Sequence, residues 1–261
     1  MLTTRFVTGS PAWTDVGTPD LDGAVAFYGG VFGWTFRPAG PGAGGYGFFQ
    51  LDGRTVAGAM ETPPGQGPPS WTVYFETPDA AAAAEAARRA RGRVLVPPAE
   101  VRGQGTMAVL ADQAGVPFGV WQPGRTAGVD AAGEPGALSR VELFTADIAL
   151  AAAFYHTVLG LETYAASFPD GTHTCVNPAG TGEDAVFGDL VPLADDPLET
   201  EASWLPSFEV PDVDAAVAAV RRLGGTVRGP AADTPGIGRT ARLADPCGAR
   251  FAVIRSAPRE A

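Results

Sequence analysis

The chain has 261 residues, of which 45% are hydrophobic and 18% charged, and this composition is typical of a globular protein with room for two domains. Its net charge is −11 and all 18 basic residues are arginine, which argues against a nucleic-acid partner because phosphate backbones repel an acidic surface. The chain has no basic-then-apolar leader and no apolar run of about 18 residues, so we expect a cytoplasmic protein that does not contact a membrane.

The first predicted unit, over residues 10–62, begins with a strand and a helix. The stretch WTDVGT has the alternation of a half-buried strand. Asp20 then stands where a helix N-cap is needed, apolar residues follow at helical spacing, and Gly33 ends the helix. The later stretch YGFFQ is expected to form a strand that adds aromatic side chains to the concave face, and the pattern leaves open which of Tyr46, Phe48 and Phe49 these are.

The same order of elements returns three times along the chain. The phrase AVAFYGGVFGW recurs as AAAFYHTVLGL, and SWTVYFETPDAAAAAEAARR is matched by SWLPSFEVPDVDAAVAAVRR. We therefore predict four strand–helix–strand–strand–strand units, at 10–62, 70–123, 138–192 and 202–256. The segment 124–137 is rich in Gly, Pro and Ala and lacks periodicity, so we expect it to link a first domain (1–123) to a second (138–261).

This organisation resembles the vicinal oxygen chelate superfamily of glyoxalase I, bleomycin resistance proteins and extradiol dioxygenases. The resemblance rests on the phrase A-x-x-F-Y-x-x-V-F-G-W, the D-x-x-x-A helix and the D-x-x-G-x-x-F end strand, and it looks most like two-domain glyoxalase-like proteins of actinobacteria. It implies an α+β fold of two tandem domains. Each domain would contain two βαβββ units whose strands curl into a cup-shaped mixed sheet, with helices on the convex face. Such a fold does not by itself define a function.

Metal-dependent members of this superfamily carry His and carboxylate ligands at fixed places in the units, and this chain has other residues there. The matching positions hold Trp13 and Arg140, Thr72 and Leu205, Gly119 and Ala252, and, at the end of the fourth strand, residues near Ala59 and Asp189. Indole and guanidinium groups only donate hydrogen bonds, and one carboxylate does not hold a catalytic metal. We expect no bound metal and no other cofactor, which argues against glyoxalase I chemistry and ring-cleaving dioxygenation.

Alternation along the strands assigns a set of side chains to the concave face of each sheet, which we call the first and the second cup. The first cup is expected to hold Asp15 and Glu76 as acid/base candidates, with Trp13, Thr72, Tyr74 and Trp121 as ligand-binding candidates. The second cup is expected to hold Glu142 as an acid/base candidate, with Arg140 and Arg242 as ligand-binding candidates. His173 either joins them or lies half-exposed in its strand, and the charges of the second cup either bind a ligand or pair with one another.

Three functions remain open. The first is metal-independent binding of an aromatic or cationic small molecule, such as an antibiotic or secondary metabolite. The second is a cofactor-free isomerase, cyclase, lyase or hydroxylase-associated enzyme that acts on an aromatic polyketide-like metabolite by acid–base chemistry. The third is a metal-dependent lyase or dioxygenase whose ligands are aligned differently. In each case the expected partner is a small molecule, most simply an aromatic one, and the protein is a monomer or a homodimer.

Overall fold

The computed structural model describes residues 2–63, 65, 67–168 and 171–257, and in these ranges the chain forms two eight-stranded mixed sheets and four α-helices. The predicted α+β fold of four βαβββ units is confirmed. The first half contains β1 (Pro11–Thr18), α1 (Leu21–Phe32), β2 (Thr35–Pro38), β3 (Gly47–Leu51), β4 (Arg54–Glu61), β5 (Ser70–Glu76), α2 (Ala80–Arg89), β6 (Arg93–Glu100), β7 (Gly105–Ala111) and β8 (Pro117–Pro123).

The second half repeats this order. It contains β9 (Leu138–Thr145), α3 (Ile148–Leu159), β10 (Leu161–Phe168), β11 (Gly171–Pro178), β12 (Gly188–Pro192), β13 (Ser203–Glu209), α4 (Val213–Arg222), β14 (Thr226–Thr234), β15 (Gly238–Ala244) and β16 (Arg250–Ser256). Short 3₁₀ turns lie at Glu183–Ala185 and Leu193–Asp195. None of the helices in the described ranges is long and apolar enough to cross a membrane.

Consecutive units lie side by side in one sheet. The first sheet has the order β2-β3-β4-β1-β5-β8-β7-β6, and the second has the equivalent order β10-β11-β12-β9-β13-β16-β15-β14. The first strands of the two units, β1 and β5, pair antiparallel at the centre, while each pairs in parallel with the last strand of its own unit. The central strand β1 therefore has a neighbour on both sides, and a side chain on its concave face lies at the middle of the first cup.

The helices begin and end where the sequence predicts. The Asp20 carboxylate accepts a hydrogen bond from the Gly23 amide, and Asp147 does the same for Leu150 at the start of α3. These contacts satisfy amides that have no partner inside the helix. Gly33 ends α1 in the left-handed conformation, with a φ of 75°, which a residue without a Cβ adopts at little cost.

The repeated Phe-Tyr phrase is part of the scaffold, and its tyrosines reach the opposite half of the molecule. The Tyr28 hydroxyl donates to Asp245 Oδ2 at 3.1 Å and accepts from Trp71 Nε1 at 2.9 Å. Tyr155 donates to Asp112 in the same way, and it accepts from the second-half tryptophan Trp204. One hydrophobic cluster that includes residues of all four helices and both sheets surrounds these contacts.

The segment 124–137, which we predicted as a linker, makes backbone contacts with both sheets. The amides of Val129 and Asp130 donate to the carbonyls of Ala12 and Thr55 in the first sheet. Further along, the Gly136 amide donates to the Glu209 carbonyl in the second sheet. This path carries the beginning of the segment past the open side of the first cup, where it forms part of the wall described below.

Candidate ligand-binding site

A cavity of about 750 Å³ occupies the first cup. Its volume lies within the range of small-molecule sites, roughly 300–1,000 Å³. Five aromatic side chains line it, together with the carboxylate of Asp15. The aromatic residues are Trp13, Tyr46, Phe48, Tyr74 and Trp121.

Asp15 lies on the central strand β1, and its carboxylate accepts hydrogen bonds from two tyrosines. Tyr46 donates to Oδ2 at 3.1 Å and Tyr74 donates to Oδ1 at 3.4 Å. The Tyr46 oxygen in turn accepts from Trp13 Nε1 at 2.9 Å. We call these four residues, Trp13, Asp15, Tyr46 and Tyr74, the Asp15 cluster.

Burial decides the protonation of this cluster. It raises the pKa of Asp15 from 3.8 to about 6, although the hydrogen bonds from Tyr46 and Tyr74 oppose the shift. Burial, reinforced by the charge of Asp15, also raises the pKa of both tyrosines well above 10. At neutral pH the tyrosines therefore remain protonated donors, and Asp15 is a carboxylate that protonates in mildly acidic solution.

Two glycines give the tyrosines their space. Gly58 is the partner of Asp15 on β4, and a Cβ added there would lie 2.0 Å from the Tyr46 hydroxyl oxygen and 3.0 Å from the Asp15 Cβ. Gly119 is the partner of Tyr74 on β8, and a Cβ there would lie 2.0 Å from the Tyr74 ring. Such distances are far below van der Waals contact, so the cluster requires glycine at both positions.

Further contacts hold the aromatic wall in place. Trp13 and Phe48 meet edge to face with their ring centroids 6.0 Å apart, and the Arg37 guanidinium lies over the Phe48 ring at 5.1 Å. Trp121 Nε1 donates to the Thr126 carbonyl at 3.0 Å, which ties the wall to the segment between the two halves. At the mouth, Arg102 donates to the Pro41 carbonyl at 2.9 Å, joining the loop that precedes β3 to the turn between β6 and β7.

Two of the residues predicted for the first cup do not line this cavity. Thr72 is the partner of Asp15 on β5, but its side chain is not part of the cavity wall. Glu76 lies at the end of β5, where the Thr8 side chain contacts its carboxylate and burial raises its pKa. Among the described residues its Oε2 has no hydrogen-bond partner. The structure therefore does not bring Glu76 together with Asp15.

In the second cup the structure brings Arg140, Glu142 and His173 together around Asp189. Arg140 forms ion pairs with Asp189 and, at 3.5 Å, with Glu142, and His173 Nδ1 lies 3.3 Å from Asp189. Burial raises the pKa of Glu142, and the Arg140 charge opposes that shift. Arg140 pairs with both carboxylates, so the charges of this cup pair with one another, which is the second of the two arrangements expected for it.

The other charged residues of the second half have separate partners. Arg242 donates to Asp196 at 2.6 Å and stacks on Phe144 at 4.7 Å. Glu209, which has the place of Glu76 in the fourth unit, accepts hydrogen bonds from Ser139 and Ser256. Arg242 thus has its own carboxylate partner, although its charge also opposes the raised pKa of Glu142.

The first cup does not fit the metal site of the superfamily. The Trp13 indole is a donor already used by Tyr46, and the Tyr74 ring covers Gly119. Near Ala59, where a fourth ligand was considered, the residue paired with Asp15 is Gly58, which has no side chain to offer, and Ala59 itself is fully buried. Across the described ranges, no group of three or more His, Cys, Asp or Glu side chains could hold a metal ion.

Another groove, of about 660 Å³, lies outside both cups beside α3 and β10. His156 and Glu162 are among the residues that line it, and His156 Nδ1 lies 3.0 Å from the Leu161 carbonyl oxygen. Its open form would leave much of a bound molecule in water. We place the candidate site in the first cup, where a buried carboxylate and five aromatic rings converge.

Comparisons with known proteins agree with this architecture. Residues 10–120 match the family model described as the Glyoxalase/Bleomycin resistance protein/Dioxygenase superfamily, and residues 140–254 match a Glyoxalase-like domain. The chain is 39% identical over 276 residues to the anthracycline biosynthesis protein DauV of Streptomyces sp. (strain C5), with 96% of this chain and 94% of DauV covered. It is 41% identical over 271 residues to the anthracycline biosynthesis protein DnrV of Streptomyces peucetius, with the same coverage.

A solved structure with the same fold is the 2,3-dioxygenase LapB from Pseudomonas sp. KL28. The TM-score is 0.65 at 16% identity, and the match covers 98% of this chain and 96% of that chain. A likeness at this level of identity concerns the fold alone.

Proposed function

Because this chain belongs to the glyoxalase/bleomycin resistance protein/dioxygenase superfamily, we propose that its first cup binds a planar aromatic small molecule of the polyketide type without a metal ion. The observation that carries the proposal is the cavity of about 750 Å³ whose wall combines five aromatic rings with the buried carboxylate of Asp15. Large rigid rings favour flat ligands, and a few placed polar groups fix their orientation.

The relatives support this choice of ligand. DauV and DnrV are named as anthracycline biosynthesis proteins, and both match this chain over nearly its whole length. An anthracycline has a flat, multi-ring aromatic core, and a cavity of this volume has room for such a core. We therefore favour a role in the metabolism of an aromatic secondary metabolite over general glyoxalase chemistry.

The residues at the superfamily's ligand positions support a metal-free mode of binding. A tryptophan, a threonine and two glycines stand there in the first cup, and the space is taken by the rings of Tyr46 and Tyr74. Divalent metals in proteins prefer carboxylate, imidazole or thiolate ligands, which these residues do not supply. Within the Asp15 cluster only Asp15 offers such a group, and each of its oxygens already accepts a hydrogen bond from a tyrosine.

The substitution Trp13→Ala tests the proposed binding site. Titration with the tetracyclic aglycone of an anthracycline, followed by the ligand's own fluorescence, measures the affinity. Loss of the buried ring should weaken binding by about 1–3 kcal/mol, roughly 5- to 150-fold. Tyr164→Ala is the matched control, because it removes an aromatic side chain from the other groove and should leave the affinity unchanged. Equal affinity of the wild type and Trp13→Ala would show that the ligand does not bind in the first cup.

A cofactor-free acid–base enzyme that acts on the same ligand is the second candidate, favoured by the pKa of Asp15 near 6. A carboxylate with this pKa, surrounded by apolar walls, is suited to take a proton from an acidic carbon or hydroxyl group. In that case Asp15→Asn should lower turnover about 100-fold or more while ligand binding persists. Full turnover by this variant would show that Asp15 is not the acid–base group, and absence of turnover by the wild type would leave binding as the function.

A further inference from the structure

Every hydrogen bond within the Asp15 cluster is donated towards Asp15, either directly or through Tyr46. The Trp13 indole N–H is used by the Tyr46 oxygen, and the hydroxyl hydrogens of Tyr46 and Tyr74 are used by the two carboxylate oxygens of Asp15. Each donor of the cluster thus has an acceptor within the cluster, and the direction of donation ends at Asp15.

The Asp15 cluster can therefore accept further hydrogen bonds from a ligand, but it has no free donor to offer. A carboxylate has about four lone-pair positions and a tyrosine hydroxyl has two, whereas each of these groups has at most one donor hydrogen. The two tyrosines occupy one position on each oxygen of Asp15, so the carboxylate can accept further hydrogen bonds from the cavity. Since Asp15 is only 7% exposed, it would lose solvation on ligand binding unless the ligand brought a donor.

We propose that the Asp15 cluster selects ligands with a phenolic hydroxyl group, which donates a hydrogen bond to the Asp15 carboxylate. This inference deepens the proposed function and rests on it. A hydroxyl that donates to a carboxylate forms a charge-assisted bond, stronger than a bond between neutral groups.

The pH dependence follows from the groups that face Asp15. Tyr46, from the segment before β3, and Tyr74, on β5, are the titratable groups that contact its carboxylate, while the neighbour on β4 is Gly58. The charged residues Glu100 and Asp130 also line the cavity, as do the two arginines of its wall. Because the pKa of Asp15 is about 6, the carboxylate accepts above this pH and becomes a donor-bearing acid below it.

The test compares 2-hydroxyanthracene with 2-methoxyanthracene, which differ in the donor hydrogen. Binding to the full chain at pH 7.5 is followed by ligand fluorescence, and we expect the hydroxy compound to bind about tenfold more tightly or better, as for hydrogen bonds to charged groups. Asp15→Asn should reduce this preference to threefold or less, and so should lowering the pH to 5 for the wild type. Glu142→Gln, at the equivalent position of the second sheet, should retain the tenfold preference.

The outcomes separate the two proposals. If both compounds bind the wild type equally and Trp13→Ala weakens both, the first cup is the site and the inference about Asp15 is wrong. If neither compound binds, or if Trp13→Ala changes neither affinity, the proposed function fails together with the inference. A preference that persists in Asp15→Asn, with the variant folded by circular dichroism, would assign the recognition of the hydroxyl group to another residue.

Discussion

Asp15 combines a central role in the candidate site with an unfavourable environment for its charge. Burial disfavours the carboxylate, and the hydrogen bonds from Tyr46 and Tyr74 offset only part of that penalty, since its pKa remains raised at about 6. The folded state therefore holds the Asp15 proton more tightly than the unfolded chain, for which 3.8 is the reference value. Functional sites often contain ionisable groups whose pKa is shifted by burial in this way.

The substitution Asp15→Asn should consequently stabilise the fold at neutral pH. Between pH 4 and 6 the folded wild type binds more protons than the unfolded chain, so its free energy of unfolding falls as the pH rises and then levels off. At pH 7 the variant should be more stable by up to about 3 kcal/mol, and the difference should vanish near pH 3, where Asp15 is protonated in both states. Urea unfolding of both proteins at the two pH values measures this. A variant that is less stable at pH 7 would contradict the expected penalty.

At the residue scale, the sequence indicates part of the cavity wall. Strand alternation assigns Trp13, Asp15, Tyr74 and Trp121 to the concave face, and the structure places all four on the cavity wall. Alternation leaves open which of Tyr46, Phe48 and Phe49 face the cavity, because Tyr46 precedes its strand in a glycine-rich loop whose path depends on the rest of the fold. The one available signal is that Tyr46 and Phe48 are two positions apart, as residues on one face of a strand are.

At the scale of elements, the two tyrosines of the repeated phrase join helices of one half to turns of the other. Each tyrosine satisfies a buried tryptophan N–H and donates to the Asp of a D-x-x-G turn. The sequence predicts the helices and turns separately, because caps and turn residues act locally. It does not predict that these elements meet, because the two similar phrases contain nothing that specifies which turn each one contacts.

Tyr28→Phe tests the contact between α1 and the turn at Asp245. The change leaves the ring in place but removes the partner of Trp71 Nε1 and one donor to Asp245. Unsatisfied buried groups cost about 1–3 kcal/mol, so the free energy of unfolding should fall by that amount. Chemical denaturation measures the change. Equal stability of Tyr28→Phe and the wild type would indicate that water satisfies these groups.

At the scale of the whole molecule, the hydrophobic core is continuous between the two halves. Phe75 of the first sheet lies 5.0 Å from Trp204 of the second, and Phe32 of α1 lies 5.3 Å from Phe208 of β13, measured between ring centroids. Neither half buries these rings without the other. The four repeated units predict the two sheets. The close contact between the sheets depends on aromatic side chains that lie far apart in the sequence, and no local pattern shows that they meet.

We therefore expect the chain to unfold in a single transition. Proteins with one shared core lose it cooperatively, and the calorimetric enthalpy then equals the van't Hoff enthalpy. Differential scanning calorimetry of the full chain measures both. Two resolved transitions, or a van't Hoff enthalpy near half of the calorimetric value, would show that the halves unfold independently.

The reciprocal tyrosine–aspartate contacts between the two halves explain how the two cups can differ. Tyr28 with Asp245 and Tyr155 with Asp112 are the same contact made in both directions, as in the isologous interface of a symmetric homodimer. Here a covalent connection keeps the two surfaces together at a high effective concentration, independent of how much protein is present. The interface can keep its twofold symmetry while each concave face changes on its own, and one has come to carry an aromatic cavity and the other a cluster of ion pairs.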